Sequence, residues 1–297
     1  MSIKHIHDQI REKHILTPKM RTSVVRADES DRREWLVETP TCSSLSDHRI
    51  AHCGIMHASK PFEIVRVNLS GTFFFACFEG KGKVLIDGDW RTVEAGQACV
   101  QPPFIPNALK TNSKKTWTFC WVRYKEAPRA KSLVSLHAPA LGDFDAAPLN
   151  FAIQGLHAEA AGNRSWHALR KWSDLIHSYV NSFAQPFRGN ERLIEVWNAV
   201  ESRLEEDWTL GRLATIACMS KEHLRRLCSH SLERSPIQHI AFLRMHRAAE
   251  LLVTTDQKIA MIAQMVGYAN QFAFSDTFKR WIGCRPSAYR KQKPLQD

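Results

Sequence analysis

The segment Ile259-x-x-Ile262-Ala263-x-x-Val266-Gly267-Tyr268, running on to Asp276 and Phe278, decides how the second half of this chain folds. A near-copy lies upstream: Leu210-x-x-Leu213-Ala214-x-x-Ala217-Cys218-Met219, running on to Arg226 and Cys228. The offset is 49 up to the turn (210 to 259) and 50 beyond it (226 to 276). In each copy apolar residues recur at three and four, the period of a helix packed on one face. Ala214 and Ala263 are small enough for two helices to cross closely. Gly267 takes a positive φ without a Cβ penalty, Met219 and Tyr268 are placed to plug the corner, and Ser220 to cap the next helix. Each copy therefore predicts a short helix, a tight turn and a second helix. Cys218 stands where the later copy has glycine, so the first turn is expected to be strained or differently shaped.

Between the copies, Ser235-Pro236 marks a helix start, with a cap followed by proline at the first helical position. The pattern from Ile237 to Val253, apolar at Ile240, Leu243, Ala248, Leu251 and Leu252, predicts a rod of ~25 Å. Such a rod suits two reading helices near the ~34 Å repeat of B-DNA. Upstream, Leu193, Val196, Val200 and Leu204 stripe another helix. Of thirteen glycines only Gly211, Gly267 and Gly283 lie beyond Asn190, so this half is almost wholly helical, and the domain boundary falls near 186–190.

The first half has another texture. Short β-rich runs, Phe62–Asn68, Thr72–Phe78, Lys83–Ile86, Trp90–Val93, Ala98–Gln101 and Thr116–Tyr124, alternate with turn signals such as Ser70-Gly71, Asp87-Gly88 and Ala95-Gly96. Many short strands at this spacing predict a β-barrel or sandwich. Residues 1–60 read as a loose tail followed by strands of the same sheet. Pro128 to about Gly162, rich in Ala and Pro, reads as loop. From Ser165 to Ala184 an apolar stripe of Leu169, Trp172, Ile176, Tyr179 or Val180, and Phe183 predicts a helix that either packs on its own domain or dimerises.

Lys and Arg total 41 against 30 for Asp and Glu, a net charge of +11. That surplus favours a polyanionic partner, because neutralising phosphates releases condensed counterions. No run of ~18 apolar residues predicts a spanning helix, and the polar start from Met1 to Glu12 has no secretory core, which together predict a cytoplasmic protein. The eight cysteines, Cys42, Cys53, Cys77, Cys99, Cys120, Cys218, Cys228 and Cys284, form no Cys-x-x-Cys and read as small buried hydrophobes.

From Trp208 to Tyr289-Arg290 the chain resembles the DNA-binding domain of the AraC/XylS family of bacterial transcription regulators. The residues that carry this are Trp208-Thr-Leu, Leu213-Ala214, Met219-Ser220, Leu224-x-Arg226, Ser235-Pro236, Arg244-x-x-x-Ala248, Leu251-Leu252, Ile262-Ala263, Val266-Gly267-Tyr268, Phe278-Lys279 and Gly283-x-x-Pro286 before Tyr289-Arg290. The resemblance implies double-stranded promoter DNA as partner, RNA polymerase too if the protein activates, and no enzymatic activity or cofactor. The first recognition helix, Ser220 to about Ser229, would offer Lys221, Glu222, His223, Arg225 and Arg226. Of these, Glu222, Arg225 and Arg226 match positions that face base edges in the family, and arginine forks onto guanine. The second, about Asn270 to Lys279, would offer Asn270, Gln271, Phe272, Ser275 and Asp276. Asp276 stands where the family usually has arginine, so the first copy is expected to carry more of the base readout. Lys279, Arg280, Arg285, Arg290, Lys291 and Lys293 would track the phosphates.

Residues 62–124 resemble the family's arabinose-type sensor in Gly80-x-Gly82, Ala95-Gly96, Pro102-Pro103, Trp117 and Trp121-Val122. The effector positions carried over are Glu79, Leu109, Phe119 and Trp121. Glu79, Leu109 and Phe119 replace the arginine, tyrosine and histidine of the arabinose type, which leaves Trp121 to stack on a ligand, with a different sugar or a more apolar effector both open. A metal-dependent cupin enzyme needs converging histidines and a carboxylate. Here Asn107 occupies the natural histidine place, while His48, His52 and His57 are scattered. That alternative and a regulator without any effector stay open. The cysteine-rich zinc cluster of a DNA-repair sensor is absent. The expected organisation is α+β with two domains: a cupin-like sensor over 1–150, a helical linker and dimerisation helix over 151–188, and an all-α domain with two helix-turn-helix units over 189–297. A homodimer without membrane contact is expected.

Overall fold

The structure is a computed structural model that describes residues 12–15, 21–66, 71–111, 115–126, 140–185 and 190–291. The expected N-terminal tail, Ser70, most of the 186–190 boundary and Lys293 lie outside those residues.

Aromatic and β-branched residues in short alternating runs give strands β1 (Glu12–Ile15), β2 (Arg21–Arg26), β3 (Ile50–Ala58), β4 (Phe62–Arg66), β5 (Phe73–Glu79), β6 (Lys81–Ile86), β7 (Asp89–Glu94), β8 (Gln97–Gln101), β9 (Asn107–Thr111), β10 (Trp117–Tyr124) and β11 (Gly142–Asp143). Their antiparallel pairings build a five-stranded sheet, β1-β4-β9-β6-β7, and a six-stranded sheet, β11-β8-β5-β10-β3-β2. Among the described residues no strand belongs to both. The expected cupin-like barrel is therefore an open two-sheet sandwich. Side chains close the gap instead. Phe62, Phe75, Trp117 and Phe119 interdigitate between the sheets, with ring centroids of Phe75 and Phe119 at 4.8 Å and of Trp117 and Phe119 at 4.7 Å.

The outer face of the six-stranded sheet is covered by α1 (Ala147–Ala161) and α2 (Trp166–Ala184). Helix α1 lies in the stretch expected to be loop. Its Leu149, Ala152, Ile153, Leu156 and Ala160 repeat at helical spacing, and Pro148 sits in the first turn, where its missing N–H costs nothing. The stripe on α2 is consumed internally. Ile176, Val180 and Phe183 are buried, and Leu169, Trp172 and Tyr179 pack on the same core. That packing withdraws the apolar stripe that motivated a dimerisation helix.

Beyond residue 190 the chain is helical: α3 (Glu191–Ser202), α4 (Leu210–Ile216), α5 (Lys221–Leu232), α6 (Pro236–Thr254), α7 (Ile259–Met265), α8 (Gln271–Ile282) and α9 (Pro286–Arg290). Helix α6 starts with a capping box in which Ser235 and Gln238 satisfy each other's backbone N–H groups. Its two ends belong to different cores. Ile240, Phe242 and Leu243 pack with α3, α4 and α5, while Met245, Ala248, Leu251 and Leu252 pack with α7, α8 and α9. Helix α9 was not anticipated from the sequence; proline opens it too.

The two halves touch. The β8–β9 loop inserts Phe104, 4% exposed, into the core of α6, α8 and α9, and Asp87 at the β6–β7 turn pairs with Arg234 just after α5.

Candidate nucleic-acid interface

The two copies fold to the same local geometry. In the first turn the Cys218 N–H reaches the Thr215 carbonyl at 3.1 Å and the Met219 N–H the Ala214 carbonyl at 3.0 Å. In the second, Gly267 reaches Gln264 at 2.9 Å and Tyr268 reaches Ala263 at 2.9 Å, an identical pattern 49 residues later. The recognition helix then starts one residue later in the second copy, with Asn270 in the capping place of Ser220, which accounts for the offset of 50. Both turns use the left-handed region: Gly267 has φ +80°, and Cys218 has φ +49° despite its side chain. The expected strain at Cys218 is thus present while the turn's shape is kept.

Arg244 on α6 braces the second turn. It donates to the carbonyls of Leu204 at 3.0 Å and Glu206 at 2.7 Å, and its guanidinium lies 5.7 Å from the Tyr268 ring. A Cβ on Gly267 would come within 2.5 Å of Arg244. Tyr268 is half-buried, and burial raises its hydroxyl pKa above the usual range.

On α5, Lys221, Glu222, Arg225 and Arg226 are exposed on one face, opposite the buried Leu224, Cys228 and Leu232. Arg225 lies 3.6 Å from Glu222, an exposed pair too weak to hold it back from a base or phosphate. Arg226 bonds the His223 ring at 3.0 Å. Ser220 is occupied: its hydroxyl accepts from the His223 N–H at 3.2 Å. On α8, Gln271 is exposed and Phe272 is 79% exposed. Asn270 caps the helix, accepting from Phe272 N–H at 2.7 Å, so its carbonyl oxygen is spent locally. Asp276 lies 3.8 Å from Arg285, and Ser275 and Lys279 are partly buried beside the exposed Arg280. Arg290 donates to the Gln257 carbonyl, which makes it a brace for the loop before α7 as well as a surface charge.

Of the four expected effector residues, Leu109, Phe119 and Trp121 come together between the sheets, joined by Trp35, Met56, Ile64, Arg66 and Phe73. The void among them is about 10 Å³, the lower limit for a single water. Glu79 is exposed at the end of β5 and does not join them. Trp35 and Leu36 were missed in the sequence. They lie in an irregular segment after β2 that lays Trp35 edge-on to His52, with centroids at 5.2 Å, and buries Leu36 fully.

The three histidines weighed as metal ligands go to three places. His48 bonds Asp174 at 2.7 Å and stacks on His177, His52 accepts from the Trp121 indole at 3.0 Å, and His57 meets Thr118 at 3.0 Å. Among the described residues no group of three or more His, Cys, Asp or Glu is arranged to hold a metal ion, and no helix is long and apolar enough to cross a membrane. Of the eight cysteines, all but Cys218 are buried, as expected of small core residues. Burial pushes the Cys77 thiol up to about 11 and the Cys99 thiol up to about 12.

Residues 213–292 match the family model described as a helix-turn-helix domain. The chain is 27% identical over 236 residues to the MmsAB operon regulatory protein of Pseudomonas aeruginosa, covering 73% of this chain and 74% of that one. It is 25% identical over 236 residues to the raffinose operon transcriptional regulatory protein RafR of Pediococcus pentosaceus, covering 72% and 82%. A solved AraC-type transcriptional regulator from Chromobacterium violaceum is 27% identical over 35% of this chain and 94% of its own, with a TM-score of 0.34. Residues 213–292 are thus an AraC-type helix-turn-helix domain, similar to those of named transcription regulators.

Proposed function

We propose that the protein binds its promoter as a sequence-specific regulator in the cytoplasm, laying α5 and α8 into successive major grooves on one face of the duplex. The observation that carries this is the repeated turn geometry on one continuous helix. Two identical hydrogen-bond patterns flank the 19-residue α6, ~28 Å long, and both recognition helices keep their first turns exposed. Arg225 and Arg226 read bases, Phe272 meets a thymine methyl, and Lys221, Arg280, Arg285 and Lys291 hold phosphates. Asp276 adds a carboxylate that phosphates repel and that its exposed pair with Arg285 does not cancel, so the first head supplies most of the discrimination. The experiment is a pair of titrations on matched and scrambled duplexes at fixed salt. Selective binding that is lost in the Arg225→Ala/Arg226→Ala chain supports the assignment, and selectivity unchanged in that variant refutes it.

The sandwich serves as the sensor in this reading. A sugar-sized ligand does not fit the ~10 Å³ void beside Trp121, so an effector enters by displacing Trp35. The filled interior equally favours a second reading, a regulator with no effector at that place. A thermal-shift screen of the whole chain against sugars and metabolites separates them, because a bound ligand raises stability by mass action. A hit abolished by Trp121→Ala supports the first reading.

A further inference from the structure

The tip of the β6–β7 hairpin touches both reading heads. Asp87 accepts both prongs of the Arg234 guanidinium, Nε at 2.7 Å and Nη2 at 2.8 Å. Arg234 follows α5, its side chain is 6% exposed, and its guanidinium lies 4.0 Å over the Phe242 ring of α6. The next residue of the tip, Gly88, has φ +88° and lies against the other head. A Cβ there would stand 2.6 Å from the Arg280 carbonyl oxygen and 3.3 Å from that of Trp281, at the end of α8. Two successive residues of the sensor domain thus grip the C-terminal ends of both recognition helices. Nearby, Arg91 pairs with Glu233 at 3.0 Å, and the Ala140 N–H donates to the Leu232 carbonyl at 3.1 Å.

The β8–β9 loop makes a second hold. Phe104 is buried among Met245, Phe278 and Tyr289, and its carbonyl accepts from the Tyr289 hydroxyl. Phe104 keeps φ +64°, a conformation that bulky residues avoid unless their surroundings enforce it.

We propose that Asp87, Gly88 and Phe104 are positioning residues for DNA recognition: they clamp the two heads at one separation and one relative orientation. This rests on the two-head reading of DNA binding given above. The clamp holds the ends of α5 and α8 remote from their exposed first turns, so it restrains the heads without covering Lys221, Arg225, Gln271 or Phe272. A bidentate pair with its guanidinium buried tolerates little displacement. Heads ordered in advance lose less freedom on binding, and each raises the effective concentration of the other at its own groove. The clamp also reaches the sensor interior. Val84 of β6 pairs with Leu109 of β9, and Leu109 lines the void beside Trp121. Any change that spreads the two sheets there moves the strand that leads into Asp87.

The test uses the full chain and a duplex that the unmodified chain selects from random sequence, with spacer variants in which the two subsites are moved apart or together by one or two base pairs. Asp87→Asn keeps the turn, since asparagine tolerates the left-handed region, and removes the charge; Arg234→Gln removes the other partner. We expect each to weaken binding at the preferred spacing about five- to tenfold, and the double variant to be no weaker than either single. We also expect the preference for one spacing to flatten, while a duplex with one subsite is bound equally by all. Gly88→Ala, which pushes the tip off α8, gives the same flattened profile by a separate route. An unchanged spacing profile, or losses that simply add, overturns the clamp, as does tighter binding by the variants. Failure of the unmodified chain to select any duplex instead overturns the DNA-binding reading, a result separable from all of these.

Discussion

The two helix-turn-helix units share a backbone and divide the chemistry. The first carries the charge, with Lys221, Arg225 and Arg226 exposed on one helix face, and makes its turn with a strained Cys218. The second carries the better-built turn, with Gly267 at φ +80° braced by Arg244, and offers DNA the less charged face of Gln271, Phe272 and an Asp276 paired with Arg285. Duplication of a fold therefore does not imply duplication of readout. In the proposed reading, one copy is the specific reader and the other a well-anchored support.

The largest expected effect follows from that division. Arg225→Ala with Arg226→Ala should cost at least about thirtyfold in selectivity, since each arginine-to-guanine fork contributes ~1–3 kcal/mol. Phe272→Ala should cost less than about tenfold, because one methyl contact buries little area. Competition binding on matched and scrambled DNA measures both, and equal losses would erase the difference between the heads.

Next in size is the turn itself. Gly267→Ala should destabilise by about 2–3 kcal/mol, combining the left-handed penalty with the clash against Arg244 and the Leu204 carbonyl, whereas Cys218→Ala should be near neutral. Urea unfolding of the two variants checks this.

Acid should act on the shared rod. Burial holds His246 on α6 neutral, with its pKa pushed down to about 4, whereas the unfolded side chain titrates near 6.5. Below pH 6.5 the unfolded chain takes up a proton that the folded chain refuses. Stability should therefore be full above pH 6.5 and decline as pH falls toward about 4. Melting temperatures across that range, compared with a His246→Leu chain whose slope should be shallower, give the reading. The smallest effect is a gain: Cys218→Gly should relieve the first turn by up to about 1 kcal/mol, since the relief slightly exceeds the entropy glycine adds to the unfolded chain.

Much of this was legible in the sequence because helical periodicity and turn chemistry are local. The offsets of 49 and 50, the Ser235-Pro236 start and the Asp87-Gly88 hairpin all stand where the spacing predicts. What escaped was set by long-range packing. Strand β9 is a five-residue run after Pro106 whose partners β4 and β6 are distant in the chain. Helix α1 hides in an alanine- and proline-rich stretch. Whether the apolar stripe of α2 meets its own sheet or a second copy is a tertiary choice that periodicity leaves open, and here it meets its own sheet. At the site, exposure of Arg225 and Arg226 follows from helix phase alone. The capping of α8 by Asn270, the local pairing of Asp276 and the grip of Asp87 on Arg234 depend on neighbours that no short window contains.

The most direct measurement is a footprint of the full chain on its selected duplex, with chemical probes of the major groove. Two protected patches about ten base pairs apart on the same face of the helix, the one opposite α5 sensitive to Arg225→Ala/Arg226→Ala, are what a rigid pair of heads requires. A single protected patch, or two patches on opposite faces, would contradict it.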